Sequence, residues 1–226
     1  MYINEYGSRD DPTVILLAPM MVSGSDLYNL MKPCFRRNYH IVAPDQGGHG
    51  QAGGYRSADE EYQTLRSFLL EIGCTEIALV YGASLGVAVG WRLFFDPAFH
   101  IARAWFDGVA LARNARFAEW FMKRMFRSRK KKLAKTHAEA SPSLVKMYGY
   151  DFARMMTRNF ERITINDIDA ILFMLSFLRF CISFHRQFDG KSGSDRIRSV
   201  SPKRRDGNAF RHSRRSLRFA VIVGSG

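Results

Sequence analysis

The chain has 226 residues and carries 34 Lys and Arg against 21 Asp and Glu, a net charge of +13; this length suffices for one domain with a substantial buried core. Its first residues, MYINEYGSRDDP, lack the basic start and apolar stretch of a secretory signal, and its longest greasy stretch, 170–184, is interrupted by Arg179 and falls short of the ~20 residues that a membrane-spanning helix needs. Cys34, Cys74 and Cys181 have neither metal-ligand nor redox spacing, which argues for a reduced, cytoplasmic setting without a metal centre.

Taken in chain order, Val14 to Ala18 is an apolar run that suits a buried strand. It is followed by Ser23-Gly24-Ser25 and a helical start at Asp26 or Leu27. A second short strand, Ile41 to Ala43, ends in Asp45 and a turn too rich in glycine to be helical. Ser57 then caps a helix with Glu60 in the capping-box position, with Leu65, Phe68, Leu69 and Ile72 on one face and Gly73 as its stop. Ile77, Leu79, Val80 and Tyr81 form the next strand. Val87, Ala88, Val89, Trp91 and Leu93 suit the helix after it. This alternation of strands and helices implies an α/β fold with a mostly parallel sheet and right-handed crossovers.

Between that third strand and its helix stands Gly82-Ala83-Ser84-Leu85-Gly86, a G-x-S-x-G turn. The flanking glycines let strand and helix pack closely while the central residue takes a strained conformation that projects the Ser84 hydroxyl out of the turn. Ser84 also sits at a helix N-terminus, where the Leu85 amide has no intrahelical acceptor and can stabilise an oxyanion. A plain glycine-rich βα turn has the same residue types.

Three elements in order, the loop after Ala18, the Asp45-Gln46-Gly47-Gly48-His49-Gly50 segment and the Gly82–Gly86 elbow, resemble the α/β-hydrolase family. The Asp45 to Gly50 segment is similar to the D-x-R-G-H-G turn of that family, with Gly47 where arginine is common, and Ala18-Pro19 stands where the family usually has His-Gly. The resemblance implies Ser84 as nucleophile and the amides of Leu85 and Met20 as oxyanion donors; Pro19 has no amide hydrogen to offer. His49 matches a structural turn residue.

Ala104 to Phe106 reads as the next core strand. Asp107, at its carboxyl end, is a reserve candidate for the catalytic acid, or else a turn carboxylate capping Gly108 and Val109. Residues 113–181 then read as helices inserted as a lid on the 1–112 core. Their apolar residues include Phe117, Trp120, Phe121, Met125 and Leu133, then Leu144, Met147 and Tyr148 after Ser141-Pro142, then the stretch 166–180. Such a lid favours an apolar ester or acyl substrate, although the same stripes also suit a core.

The tail, 182–226, holds +8 of the +13 net charge and loses apolar patterning. Only 217–223 looks like a strand, so the last core strands of the fold are incomplete. The expectation is a gene truncated or read in a shifted frame from about residue 182. Chain order in the family is Ser, acid, His, which leaves His137, His185 and His212 as possible bases. His212 has the most plausible separation from Ser84 but no strand-turn context.

The sequence therefore points to a serine hydrolase of ester or related acyl bonds, without metal or organic cofactor. Two competitors are a hydrolase-like protein lacking its histidine, and a basic interaction protein that uses the tail and Lys123–Lys135, where eight basic residues occur with no acid. Such a surface could meet anionic lipid at a membrane periphery; nucleic acid is disfavoured, since no nucleic-acid fold is recognisable.

Overall fold

The computed structural model describes residues 1–108, 115–136 and 138–172, together with two strands at 198–199 and 220–224. The strands are β1 (Glu5–Tyr6), β2 (Thr13–Leu17), β3 (His40–Val42), β4 (Glu76–Ala83), β5 (His100–Ile101), β6 (Arg103–Asp107), β7 (Arg198–Ser199) and β8 (Ala220–Gly224). Between them run α1 (Gly24–Met31), α2 (Ala58–Glu71) and α3 (Leu85–Phe94), followed after β6 by α4 (Ala115–Thr136), α5 (Pro142–Tyr148), α6 (Tyr150–Arg162) and a further helical stretch at 165–172.

The strands form one sheet in the order β1-β3-β2-β4-β6-β8-β7, with β5 paired to β4 below β6. β3, β2, β4 and β6 are mutually parallel, as the alternation of strands and helices requires. β1 joins antiparallel at one edge and β8 joins antiparallel on β6, with β7 beyond it. The strand expected at 217–223 is thus present at Ala220–Gly224. Its direction departs from the parallel pattern, and neither β1 nor β7 was signalled, because two-residue edge strands are too short to show a period.

Residue alternation along β2 sorts the core into two layers. Ile15 and Leu17 face Leu65, Leu69, Val87, Val89 and Leu93 of α2 and α3, whereas Val14 and Leu16 face the side of α1 with Leu27. In β4 the alternation slips. Thr13 pairs with Ile77 and the next residue, Val14, with Leu79, so Ala78 is an extra residue opposite β2. Such a bulge puts Ile77 and Val80 on the same face, and both lie in the α2/α3 layer.

Helix starts follow their caps. Ser23 Oγ accepts the Asp26 amide at 3.1 Å, so α1 begins at Gly24, earlier than the acidic residue suggested. Ser57 Oγ accepts the Glu60 amide at 3.1 Å, as the sequence implied. Gly73, with φ of +70°, ends α2. The helix α6 was not separated from its neighbours in the sequence; its buried residues, Ala153, Thr157, Asn159 and Phe160, mix small and polar types with one aromatic. With α4, α5 and the 165–172 stretch it encloses a second apolar cluster around Phe126, Leu133, Leu144, Phe160, Ile163 and Ile168, which Met21 of the core enters. No described helix is long and apolar enough to cross a membrane.

Candidate active site

Ser84 stands between β4 and α3 with φ of +46° and ψ of −103°, a region that a side chain adopts only under constraint. The constraint is visible in the neighbours. A Cβ at Gly86 would lie 2.2 Å from the Leu17 carbonyl oxygen, and one at Gly82 would lie 3.1 Å from both the Gly86 carbonyl oxygen and the Phe106 ring. Both positions must be glycine or nearly so for α3 to start this close to β2 and β4. The Ser84 amide is tied to the Asp107 carbonyl at 2.9 Å, and Gly108, at φ of +70°, passes alongside Ser84. The side chain is half-buried, does not cap α3, and its hydroxyl has no hydrogen-bond partner among the described residues.

The Leu85 amide lies at the first helical position, where no intrahelical acceptor exists. The other expected donor, Met20, is on the loop that leaves the carboxyl end of β2, the strand beside β4, where Leu17 pairs with Gly82. Neither amide has an acceptor among the described residues. The Met20 side chain packs with Leu85, Ala88, Tyr55 and Ile171, which joins the two loops. Met21, the next residue, has φ of +72° and gives its amide hydrogen to His49 Nε2 at 2.9 Å. That bond puts the imidazole proton on Nδ1, which donates to the Gly47 carbonyl at 3.0 Å. His49 is buried, and burial pushes its pKa below the ordinary value, so the ring is held neutral.

The rest of the Asp45–Gly50 turn supports the same loop. Asp45 is buried and accepts the amides of Gly24 at 2.7 Å and Gln51 at 2.9 Å. A Cβ at Gly50, where φ is +52°, would lie 2.1 Å from an Asp45 carboxylate oxygen. Gln46 donates to the Ala18 carbonyl at 2.7 Å. The glycine-rich turn and the loop after β2 are one hydrogen-bonded unit.

Asp107 ends β6 opposite Ala83 in register, one residue from Ser84 along the neighbouring strand. Its carboxylate bonds to no described residue, and its charge, second to burial, raises the Tyr81 hydroxyl pKa. Of the histidines, His40 is buried between Thr13 Oγ1 at 3.0 Å and Glu5 Oε1 at 2.7 Å, and His100 pairs with Glu76 at the surface. Both, like His49, are bonded to groups other than Ser84. His137, His185 and His212 lie outside the described residues, as do Val109 and Cys181. Among the described residues no group of three or more His, Cys, Asp or Glu is placed to hold a metal ion.

Several polar residues that attach the later helices to this end of the sheet carried no functional signal in the sequence. Asp167 accepts the Tyr55 amide at 2.6 Å and, through its other oxygen, the Thr164 amide at 2.8 Å and hydroxyl at 2.6 Å. Burial opposes its charge, but the bonds from Thr164 and Tyr55 outweigh that and hold its pKa below the ordinary carboxylate value. Thr164 and Asp167 form a T-x-x-D capping box, a spacing legible in the sequence. Asn159 and Arg158 of α6 bond Asp26 of α1 at 2.8 and 3.0 Å, and Arg162 reaches the Gly50 carbonyl at 3.0 Å. Lys130 donates to the carbonyls of Phe160, Glu161 and Ile163, closing the end of α6.

No protein-family model matches the sequence, and no curated protein matches it. Solved structures do match. A hydrolase from Pseudomonas aeruginosa is 13% identical, with a TM-score of 0.59 over 77% of this chain and 67% of that one. An α/β hydrolase enzyme from a Medee basin deep-sea metagenome library is 13% identical, with a TM-score of 0.58 over 77% and 68%. An esterase from Exiguobacterium antarcticum is 11% identical, with a TM-score of 0.58 over 77% and 69%. The chain has the α/β-hydrolase fold.

Proposed function

We propose that this chain is a serine hydrolase of ester or related acyl bonds, with Ser84 as nucleophile and the Leu85 and Met20 amides as oxyanion donors. The observation that carries this reading is the backbone of Ser84: a non-glycine residue at positive φ, wedged between two space-limited glycines, with its hydroxyl unused in any structural bond among the described residues. Strain of this kind is retained where the surroundings impose it, and it clusters at reactive groups.

In the proposed course, a general base takes the Ser84 proton as its oxygen attacks the acyl carbon. The two amides receive the charge on the carbonyl oxygen, the alcohol leaves with a proton, and water then releases the acid from the acyl-enzyme. Asp107, at the carboxyl end of the strand beside Ser84, is the proposed acid, and His212 the proposed base. The reading calls on no metal or organic cofactor.

Residues 113–181 are proposed as the lid over this site on the 1–112 core, and 182–226 as a basic tail whose strand β8 joins the core sheet beside β6. The packing of Ile171 on Leu85 and Ala88 supports that placement, and an apolar acyl group suits the surface it offers. A cytoplasmic setting belongs to the same proposal, with Cys34 and Cys74 both free thiols. Esterases among proteins of this fold are in keeping with a small-molecule ester.

The test is hydrolysis of short and medium p-nitrophenyl esters beside Ser84→Ala and His212→Ala, with fluorophosphonate labelling of the serine. The expected result is loss of roughly a millionfold in kcat for Ser84→Ala, to the level left by binding and the oxyanion donors alone. A folded protein that neither turns over esters nor labels at Ser84 faster than a free hydroxyl would falsify the proposal and leave a hydrolase-like protein without its base.

A further inference from the structure

A cavity of about 320 Å³ opens between the second half of α4, the start of α5 and α6, with Met21 of the loop after β2 also lining it. One wall is apolar, made by Leu133, Leu144 and Phe160, each buried in the cluster that these helices enclose. The other is polar and cationic. Arg129, half-buried, donates to the hydroxyls of Ser141, at 3.2 Å, and Ser143, which are themselves 3.1 Å apart. Ser141 holds the N-cap position of α5, yet its hydroxyl makes no capping bond and is turned to this group instead.

Lys132 lines the same cavity, and among the described residues no acidic one does. Four other cations in these helices are paired with acids, Arg127 with Asp169, Lys123 with Glu119, Arg154 with Glu139 and Arg158 with Asp26, whereas Lys130 and Arg162 donate to backbone carbonyls. Among the described residues Arg129 has only neutral oxygen acceptors and the Lys132 ammonium has no partner. A guanidinium gains more from a carboxylate than from hydroxyls, because its planar fork can donate two parallel bonds to an anion.

We propose that this cavity is a binding site for a medium-chain carboxylate, with the head group on Arg129 and the two serine hydroxyls and the chain along Leu133, Leu144 and Phe160. The volume is at the lower end for small-molecule sites and suits a single unbranched chain. Through Met21 the site lies beside the loop of the proposed oxyanion donor Met20, but its proposed ligand contacts are not those of the serine chemistry. Its ligand is held by residues on α4, α5 and α6, and its failure would leave the reading of Ser84 untouched.

The experiment is calorimetric titration of the full chain with octanoate, octanol and acetate, repeated for Arg129→Gln and for Ala138→Phe, which narrows the cavity from its rim. Octanoate is expected to bind at one site, more tightly than octanol or acetate, with affinity falling about tenfold or more in Arg129→Gln through loss of charge-assisted bonds, and lost in Ala138→Phe. Octanol binding as tightly overturns the anionic head site, and acetate binding as tightly overturns the apolar wall. No octanoate binding, or binding that neither folded variant alters, overturns the whole proposal. Photolabelling of the unmodified chain with a diazirine-bearing octanoate needs no variant: labels on peptides containing Leu133, Leu144 or Phe160 support the site, and labels elsewhere overturn it.

Discussion

His49 Nε2 accepts the Met21 amide hydrogen at 2.9 Å, so an imidazole in the turn after β3 fixes the backbone of the loop after β2, one residue from the proposed oxyanion donor Met20. The bond needs the neutral ring. Burial lowers the His49 pKa below its ordinary 6.5, so in acid the unfolded chain takes up a proton more readily than the folded one.

The sign follows directly. The His49 contribution to stability is fully present above about pH 6.5 and declines as pH falls below that value, until the folded ring is itself protonated. His49→Ala is expected to cost about 1–3 kcal/mol near neutral pH, by stranding the Met21 amide, and to flatten the fall in urea midpoint between pH 7.5 and pH 5. An unchanged slope in the variant would assign the acid sensitivity to other groups.

Gly86 is the tightest point of the elbow. A methyl group there would meet the Leu17 carbonyl carbon at 2.5 Å and oxygen at 2.2 Å, both backbone atoms that β2 cannot move without leaving the sheet. Gly86→Ala is expected to destabilise the fold by about 3 kcal/mol or more, above the usual range for overpacking. Gly82→Ala, with contacts at 3.1 Å, should cost less. Chemical denaturation of the two variants side by side measures the difference, and equal costs would mean that the start of α3 can shift.

What could be read in the sequence was local. The elbow, the Ser57 cap and the Gly73 stop each depend on residues within a few positions, and each is found where the pattern put it. The bond from Asp167 to Tyr55 spans 112 positions and that from Asn159 to Asp26 spans 133, and no periodicity encodes such pairs. The antiparallel direction of β8 was equally hidden, because strand direction is implied by a helical crossover and the sequence of 182–219 has no helical period to supply one. For the candidate site the same division holds. Ser84 and Leu85 lie in one turn and were legible together, whereas the role of His49 in holding Met21 required two loops to be seen side by side.

Asp167 accepts three hydrogen bonds, two from the start of the 165–172 helix and one from Tyr55 of the core. Asp167→Ala strands the Tyr55 and Thr164 amides and is expected to cost about 2–4 kcal/mol. Because the carboxyl pKa is lowered in the fold, its contribution is present above about pH 3.8 and is lost as pH falls through the folded value. Hydrogen exchange at the Tyr55 amide is the direct check. It should accelerate in the variant while the strand amides of β2 and β4 stay protected, and equal acceleration at all three would show global unfolding instead.

Met20 offers the sharpest test of the oxyanion assignment, because a backbone amide can be removed only by proline. Met20→Pro deletes the donor, and Met20→Ala keeps it while losing the side-chain contact with Leu85 and Ala88. If Ser84 turns over esters as proposed, Met20→Pro should lower kcat by about 10²–10³-fold with little change in KM, the usual cost of one oxyanion donor. Met20→Ala should stay near the unsubstituted rate. The loop is already held through Met21 and His49, so a thermal melt of each variant separates loss of the donor from loss of the loop. Equal kcat in the two variants would move the Met20 role to another amide, since alanine and proline differ at this position chiefly in the hydrogen that the transition state needs.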